Sequence, residues 1–331
     1  KGCYAGNYTQ EEELSYSTLD RIFKEARELD ISFVSITGGE AFVRQDLLKL
    51  FKKYPQILFQ VYTNGTLINE SLALKIAKLG NVIPAISIEG FEKETDFRRG
   101  KGTYQRIIKA MDLLKKHKVV FGFSATATRK NAEFITSSKF VDFLIEKGAY
   151  LGWYFHYKPI GLKPDPSLML MASQRENLRS FVKKTRLEKP IFLVDFFADG
   201  VYINGCMAAG KRFVHINNKG DIEPCVFCHF AVDNIHKTSL KGALNSRFFR
   251  AIRGEQPYRK NLLTPCLVID KNDLLKKLVG KFKAKPTHCG AESIIEDEKL
   301  VSFLKKYQCS CHKILDEKWE KIYKPELESE M

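Results

Sequence analysis

Apolar positions in the first half of the chain switch between two periods. At 17–29, 45–53, 69–79, 104–117 and 134–147 they recur every three or four residues, the spacing of one buried helical face. Between them lie short β-branched and aromatic runs at 31–36, 57–61, 82–87, 119–126 and 151–156, which predict strands. Ser17 is the expected N-cap of the first helix. Strand and helix alternating this strictly predict a parallel sheet with right-handed crossovers.

The pattern changes near Pro190. Glycines, cysteines and short hairpin-like pieces replace the long alternation, with a turn expected at Asn218-Lys219-Gly220-Asp221. A boundary is expected between 188 and 204. Beyond Glu292 a charged helical pattern covers 296–323, and the acidic 326–331 is expected to fray. This divides the chain into 1–190, a cysteine-rich 191–292 and a helical tail at 293–331.

A chain of 331 residues with 44% hydrophobic and 28% charged residues has the composition of an ordinary globular protein, and no apolar run is long enough to span a bilayer. The net charge of +15 admits a nucleic-acid partner, but the lysines are interleaved with apolar residues as on solvated helix faces. Nucleic acid is therefore weakly supported. The eight cysteines, without a secretory context, suit thiolate metal ligands in a reducing compartment better than disulfides.

Polar and glycine-rich segments follow the strands: Thr37-Gly38-Gly39-Glu40, Thr63-Asn64-Gly65, Ser87-Ile88-Glu89-Gly90, 124–129 and Phe155-His156-Tyr157-Lys158-Pro159. In βα folds ligands bind at the C-terminal ends of strands, so these exits describe one site.

In order and spacing, Thr37-Gly38-Gly39-Glu40, Tyr62-Thr63-Asn64-Gly65, Ser87-Ile88-Glu89-Gly90 and Arg98-Arg99-Gly100-Lys101-Gly102, behind Cys3-Tyr4, resemble the radical S-adenosylmethionine (radical SAM) superfamily, whose signature is C-x3-C-x2-C followed by an aromatic residue. Cys3 fits the third cysteine. The resemblance puts the other two, and a first strand, before residue 1, so the chain reads as a fragment with an incomplete ligand set, inactive as it stands. It implies an α/β fold, a partial (β/α)6 barrel with fewer than the eight strands of a closed one. It also implies a 4Fe–4S cluster that binds S-adenosyl-L-methionine (SAM) and, on reduction, yields a 5′-deoxyadenosyl radical. Gly38, Gly39 and Glu40 would contact the SAM amino group, although Ala41 stands where the family has proline. Asn64, Ser87 and Ser124, with Thr126, would face the nucleoside, and Arg129 the SAM carboxylate. Asn64 and Arg129 read equally well as loop caps. Glu89 and Tyr157 are candidate proton acceptors, with Lys158 beside them; His156 reads as a core histidine.

Cys206 and Cys225, with Gly220 between them, resemble the opening C-x(9–15)-G-x4-C of the SPASM/twitch extension, a small cysteine-rich α+β domain. Thirteen residues separate Cys206 from Gly220. Cys228 and Cys266 would complete the ligands of one auxiliary 4Fe–4S cluster, and a structural zinc site on the same thiols is the alternative. Cys289, Cys309 and Cys311 do not supply the rest of the SPASM spacing. Along a helix Cys309 and Cys311 point apart.

The expectation is an anaerobic, cytoplasmic radical SAM enzyme acting on a peptide or protein side chain, with flavodoxin or ferredoxin as electron donor and no membrane association. RNA or a small metabolite is the alternative substrate. A non-catalytic iron–sulfur or zinc module is the third reading.

Overall fold

The computed structural model describes residues 13–329. They open with α1 (Tyr16–Glu28), whose cap is Ser15 and not Ser17: the Ser15 hydroxyl accepts from the Thr18 amide at 3.1 Å. Both serines precede the apolar face, but only Ser15 is extended and able to turn its oxygen back on the first turn.

Strand and helix then alternate: β1 (Phe33–Ile36), α2 (Leu47–Lys53), β2 (Leu58–Thr63), α3 (Glu70–Leu79) and β3 (Val82–Ser87). Next come α4 (Glu92–Arg99), α5 (Thr103–Lys116), β4 (Phe121–Ala127), α6 (Ala132–Ile135), α7 (Ser138–Glu146) and β5 (Ala149–His156). The alternation closes with α8 (Ala172–Glu188) and β6 (Phe192–Asp195). The strands form one six-stranded sheet in the order β1-β2-β3-β4-β5-β6, with every pair parallel. This is a partial barrel, its outer face covered by helices.

The sixth strand lies where the pattern placed a boundary. β6 is only four residues long and follows Pro190, so its own sequence carries little signal. Its register against β5, Leu151 opposite Phe192 through Tyr154 opposite Asp195, makes it a strand. A strand before Cys3 would fall outside the described residues.

Alternate side chains of each strand pack outward. Phe59 on β2 meets Phe51 of α2 at 4.5 Å and Phe23 of α1 at 5.1 Å between ring centroids. On β4, Phe123 packs edge-on against Phe140 of α7 and Tyr154 of β5. Gly152 makes room for it: a Cβ there would lie 2.3 Å from the Phe123 ring. Gly152→Ala is expected to cost about 1–3 kcal/mol through overpacking, read as a lowered urea midpoint. An unchanged midpoint would show that the ring yields freely.

After β6 the chain forms β7 (His215–Ile216), β8 (Asp221–Glu223), β9 (Phe230–Ala231), β10 (Asp233–Asn234), α9 (Leu240–Leu244) and α10 (Arg247–Gly254). Then follow α11 (Asn272–Phe282), β11 (Lys285–Pro286), α12 (Ser293–Glu296), α13 (Glu298–Lys318), a π-helical turn (Trp319–Tyr323) and α14 (Lys324–Ser329). β7 and β8 are the expected hairpin. Its turn is built by Asn217 Oδ1, which accepts from the amides of Lys219 and Asp221, both at 2.9 Å. Gly220 is required here, with φ of 85° and His236 only 2.8 Å from where a Cβ would sit.

The C-terminal helix is less of a tail than its charge suggests. Leu300, Leu304, Tyr307, Cys311 and Leu315 form a buried stripe on α13, which packs against α8.

Candidate active site and cysteine cluster

The strand exits meet at one rim, and each expected residue has a definite place. Glu40 follows β1 and bridges to β2: its carboxylate accepts from Phe42 N at 3.2 Å, Thr63 Oγ1 at 2.7 Å and Asn64 N at 2.7 Å. A carboxylate has about four acceptor positions, so Glu40 keeps capacity for one further donor. Beside it, a Cβ on Gly38 or Gly39 would meet nothing within 4 Å, so packing gives no reason for glycine at either position. Both leave backbone open to close approach by a ligand.

Asn64 Oδ1 is occupied by Thr66, accepting from its amide at 2.8 Å and its hydroxyl at 2.6 Å. That oxygen caps the turn. Ser87 on β3 and Ser124 on β4 are in register, with their hydroxyls 3.2 Å apart. Arg129 is exposed, and its Nε donates to Met169 O at 3.2 Å.

Glu89 does not fit the proton-accepting role expected of it. Its side chain is 1% exposed and accepts from Arg98 Nη1 at 3.1 Å, Arg99 Nε at 3.0 Å, Arg99 Nη2 at 2.5 Å and Thr126 N at 3.1 Å. Two guanidiniums and an amide fill the acceptor positions of the carboxylate. Glu89 therefore ties the β3 and β4 exits to α4. Tyr157 is buried too, which pushes its phenol pKa up, and its hydroxyl accepts from Asp165 N at 3.2 Å. Neither group is arranged as an accessible base. His156 matches the core reading: it lies 3.0 Å from Asp195 and stacks on Phe197 at 4.3 Å.

An aromatic row not anticipated from the sequence connects the two halves of the site. Tyr62 on β2 contacts Phe155 on β5 at 5.5 Å, and Phe155 contacts Phe227 at 6.2 Å. Trp153 and Phe196 flank it. The signal was present in Trp153 and Phe155, two aromatics on one side of one strand. Phe227 lies between Cys225 and Cys228, so the row runs from the β2 exit to the cysteine loop.

Cys206, Cys225, Cys228 and Cys266 are all free and range from half-buried to buried. The Cys228 amide donates to Cys225 O at 2.9 Å, making a tight turn. Burial pushes the thiol of Cys225 up to about 12, helped by Cys206 and Cys266, and that of Cys206 up to about 11, helped by Cys266. Cys228 is raised by burial and by the other three. The four thus lie close enough to influence one another, and thiolates in this place need cations beside them. Among the described residues no three Cys, His, Asp or Glu side chains converge on a single-ion site. A zinc centre needs four sulfurs about 2.3 Å from one ion; an iron–sulfur cube spreads its ligands over separate corners. Four soft thiolate donors suit an iron–sulfur cluster by their chemistry, as they would suit zinc.

The Cys266 loop is fixed from outside. Cys266 N donates to Asp270 Oδ2 at 3.0 Å, and Asp270 pairs with Arg175 of α8 at 2.7 and 3.0 Å. Arg175 also donates to Leu263 O at 2.8 Å and stacks on Phe197 at 4.1 Å. Cys309 is exposed on α13 and Cys311 buried, so they point apart as expected. Cys3 lies outside the described residues.

Residues 1–127 match the radical SAM superfamily, and residues 206–272 match the SPASM family, an iron–sulfur cluster-binding domain. The chain belongs to the radical SAM superfamily and carries a SPASM-type extension. Its cofactors are accordingly SAM and 4Fe–4S clusters. The AdoMet-dependent heme synthase of Methanosarcina barkeri is 23% identical over 270 residues, 73% of this chain and 76% of that protein. The PqqA peptide cyclase of Granulibacter bethesdensis is 25% identical over 223 residues, 62% of this chain and 57% of the cyclase. SuiB of Streptococcus suis, solved with its precursor peptide SuiA, has the same fold with a TM-score of 0.64 at 21% identity, over 89% of this chain and 72% of SuiB. The chain spans about half (54%) of an uncharacterized protein of Methanocaldococcus jannaschii, to which it is 29% identical over 159 residues. No helix among the described residues is long and apolar enough to cross a membrane.

Proposed function

We propose that the protein generates a 5′-deoxyadenosyl radical and abstracts hydrogen from a peptide or protein side chain. The observation that supports this reading is the aromatic row joining the strand exits to the cysteine loop, from Tyr62 through Phe155 to Phe227. Residues 1–190 supply the SAM site, 191–292 the auxiliary cluster and 293–331 the helical tail. When bound, SAM and its cluster supply the radical. Cys3 is assigned to that cluster, and Cys206, Cys225, Cys228 and Cys266 to the auxiliary one. Glu40 keeps an acceptor position for the SAM ammonium, while Gly38 and Gly39 let it approach. Ser87 and Ser124 would face the nucleoside with Asn64, and Arg129 would meet the SAM carboxylate. Tyr62, Phe155 and Phe227 keep water from the path to substrate. Flavodoxin or ferredoxin is the electron donor, in an anaerobic cytoplasm.

The peptide-cyclizing relative favours a peptide. The heme synthase, which aligns over more of this chain, favours the second reading, a small metabolite.

The test uses anaerobically reconstituted holoprotein that carries all three cysteines of the SAM cluster, with SAM and dithionite. Formation of 5′-deoxyadenosine is expected, with deuterium carried into it from a labelled peptide. Glu40→Gln should lower the rate at least tenfold through weaker SAM binding, visible as a raised KM. Deuterium transfer from a labelled metabolite and none from peptides would replace the first reading by the second. No SAM cleavage by a fully iron-loaded protein would overturn both.

A further inference from the structure

Lys158 is an ammonium buried in an unusual place. It stands two residues past β5 and is 8% exposed. Its Nζ sits 3.7 Å from the centroid of the Phe227 ring and 5.0 Å from that of Phe197. The polar contact it makes is to its own strand, His156 O at 3.5 Å. Among the described residues no carboxylate lies within 4.0 Å of Nζ.

Aromatic faces recover only part of the cost of burying an ammonium. Phe197 and Phe227 therefore do not balance it. Burial lowers its pKa and Arg175 adds to that, while Cys266, Cys225 and Asp270 act on it from the attractive side. Asp270 is committed to Arg175, in a bidentate pair. That leaves the cysteines. Four thiolates outweigh the positive charge of a cubane iron–sulfur core, so such a centre is a net anion in both oxidation states, more so when reduced.

We propose that Lys158 is the fixed countercation of the auxiliary cluster, a positioning residue that raises its reduction potential and holds the Cys225–Cys228 loop through Phe227. This rests on the ligand assignment above. Reduction adds negative charge to the cluster, and a cation in a poorly solvated position favours the reduced form. The ring beneath the ammonium ties Lys158 to the loop, since Phe227 lies inside the Cys-x2-Cys turn.

The experiment is an EPR-monitored redox titration of reconstituted holoprotein, with the auxiliary signal identified as the one lost in Cys225→Ser. Lys158→Met and Lys158→Gln remove the charge, and Lys158→Arg keeps it. Both neutral variants are expected to bind iron and sulfide as the parent does but to be harder to reduce. A tenfold loss in the reduction equilibrium corresponds to a shift of about 59 mV to more negative potential for one electron. Lys158→Arg should stay near the parent. If the neutral variants fail to assemble the cluster while Lys158→Arg assembles it, the charge is required at an earlier stage and the proposal stands. An unchanged potential with full iron in the neutral variants overturns it, as does loss of the cluster in all three. Zinc without sulfide in the parent would instead overturn the ligand assignment itself.

Discussion

Replacing Arg175 with leucine is expected to destabilise the protein by about 3–5 kcal/mol. Its side chain and that of Asp270 are 3% and 1% exposed and are joined by two hydrogen bonds. Leucine fills much of the volume but leaves Asp270 as a buried carboxylate whose remaining donor is the Cys266 amide. It also removes the guanidinium from Leu263 O and from the face of Phe197. Replacing both partners with leucine should recover part of the loss, because a buried ion pair adds little over apolar residues of similar size. Urea denaturation of the two single variants and the double variant measures this. A loss below about 1 kcal/mol for Arg175→Leu would mean that water reaches Asp270.

The second large effect is on metal content. Cys266→Ser should remove the auxiliary cluster, about four irons with matching sulfide per chain, because a hydroxyl is a poor substitute for a soft anionic thiolate. Cys309→Ser should leave iron unchanged, since that side chain is exposed on α13. Cys311→Ser separates packing from ligation. It is buried with its sulfur 4.0 Å from Arg175 Nη1, so stability should fall while iron is kept. Full iron in Cys266→Ser would remove this residue from the ligand set.

The sheet was legible wherever a strand carries its own run of branched or aromatic residues, as in β2 to β5. β6 was not, because four residues behind a proline are a strand by virtue of pairing with β5. The same limit hid the environment of Glu89. Its cations, Arg98 and Arg99, sit on α4, a short helix whose sequence Glu-Lys-Glu-Thr-Asp-Phe-Arg-Arg has no apolar stripe to announce it. The glycine-rich and polar strand exits were readable because their chemistry is local. Whether a carboxylate among them is open or already occupied depends on groups that approach in space. The cysteine spacing likewise pointed to four ligands, while the Arg175–Asp270 pair behind Cys266 joins positions 95 residues apart.

Helix α8 presents one face to the strands and, through Arg175, holds the loop of Cys266. The half-barrel and the metal-binding region therefore share a wall. What binds iron on one side of that wall shifts the equilibrium between native and denatured chains on the other. Loss of the cluster would then lower the stability of the half-barrel as well as of the loop that held it.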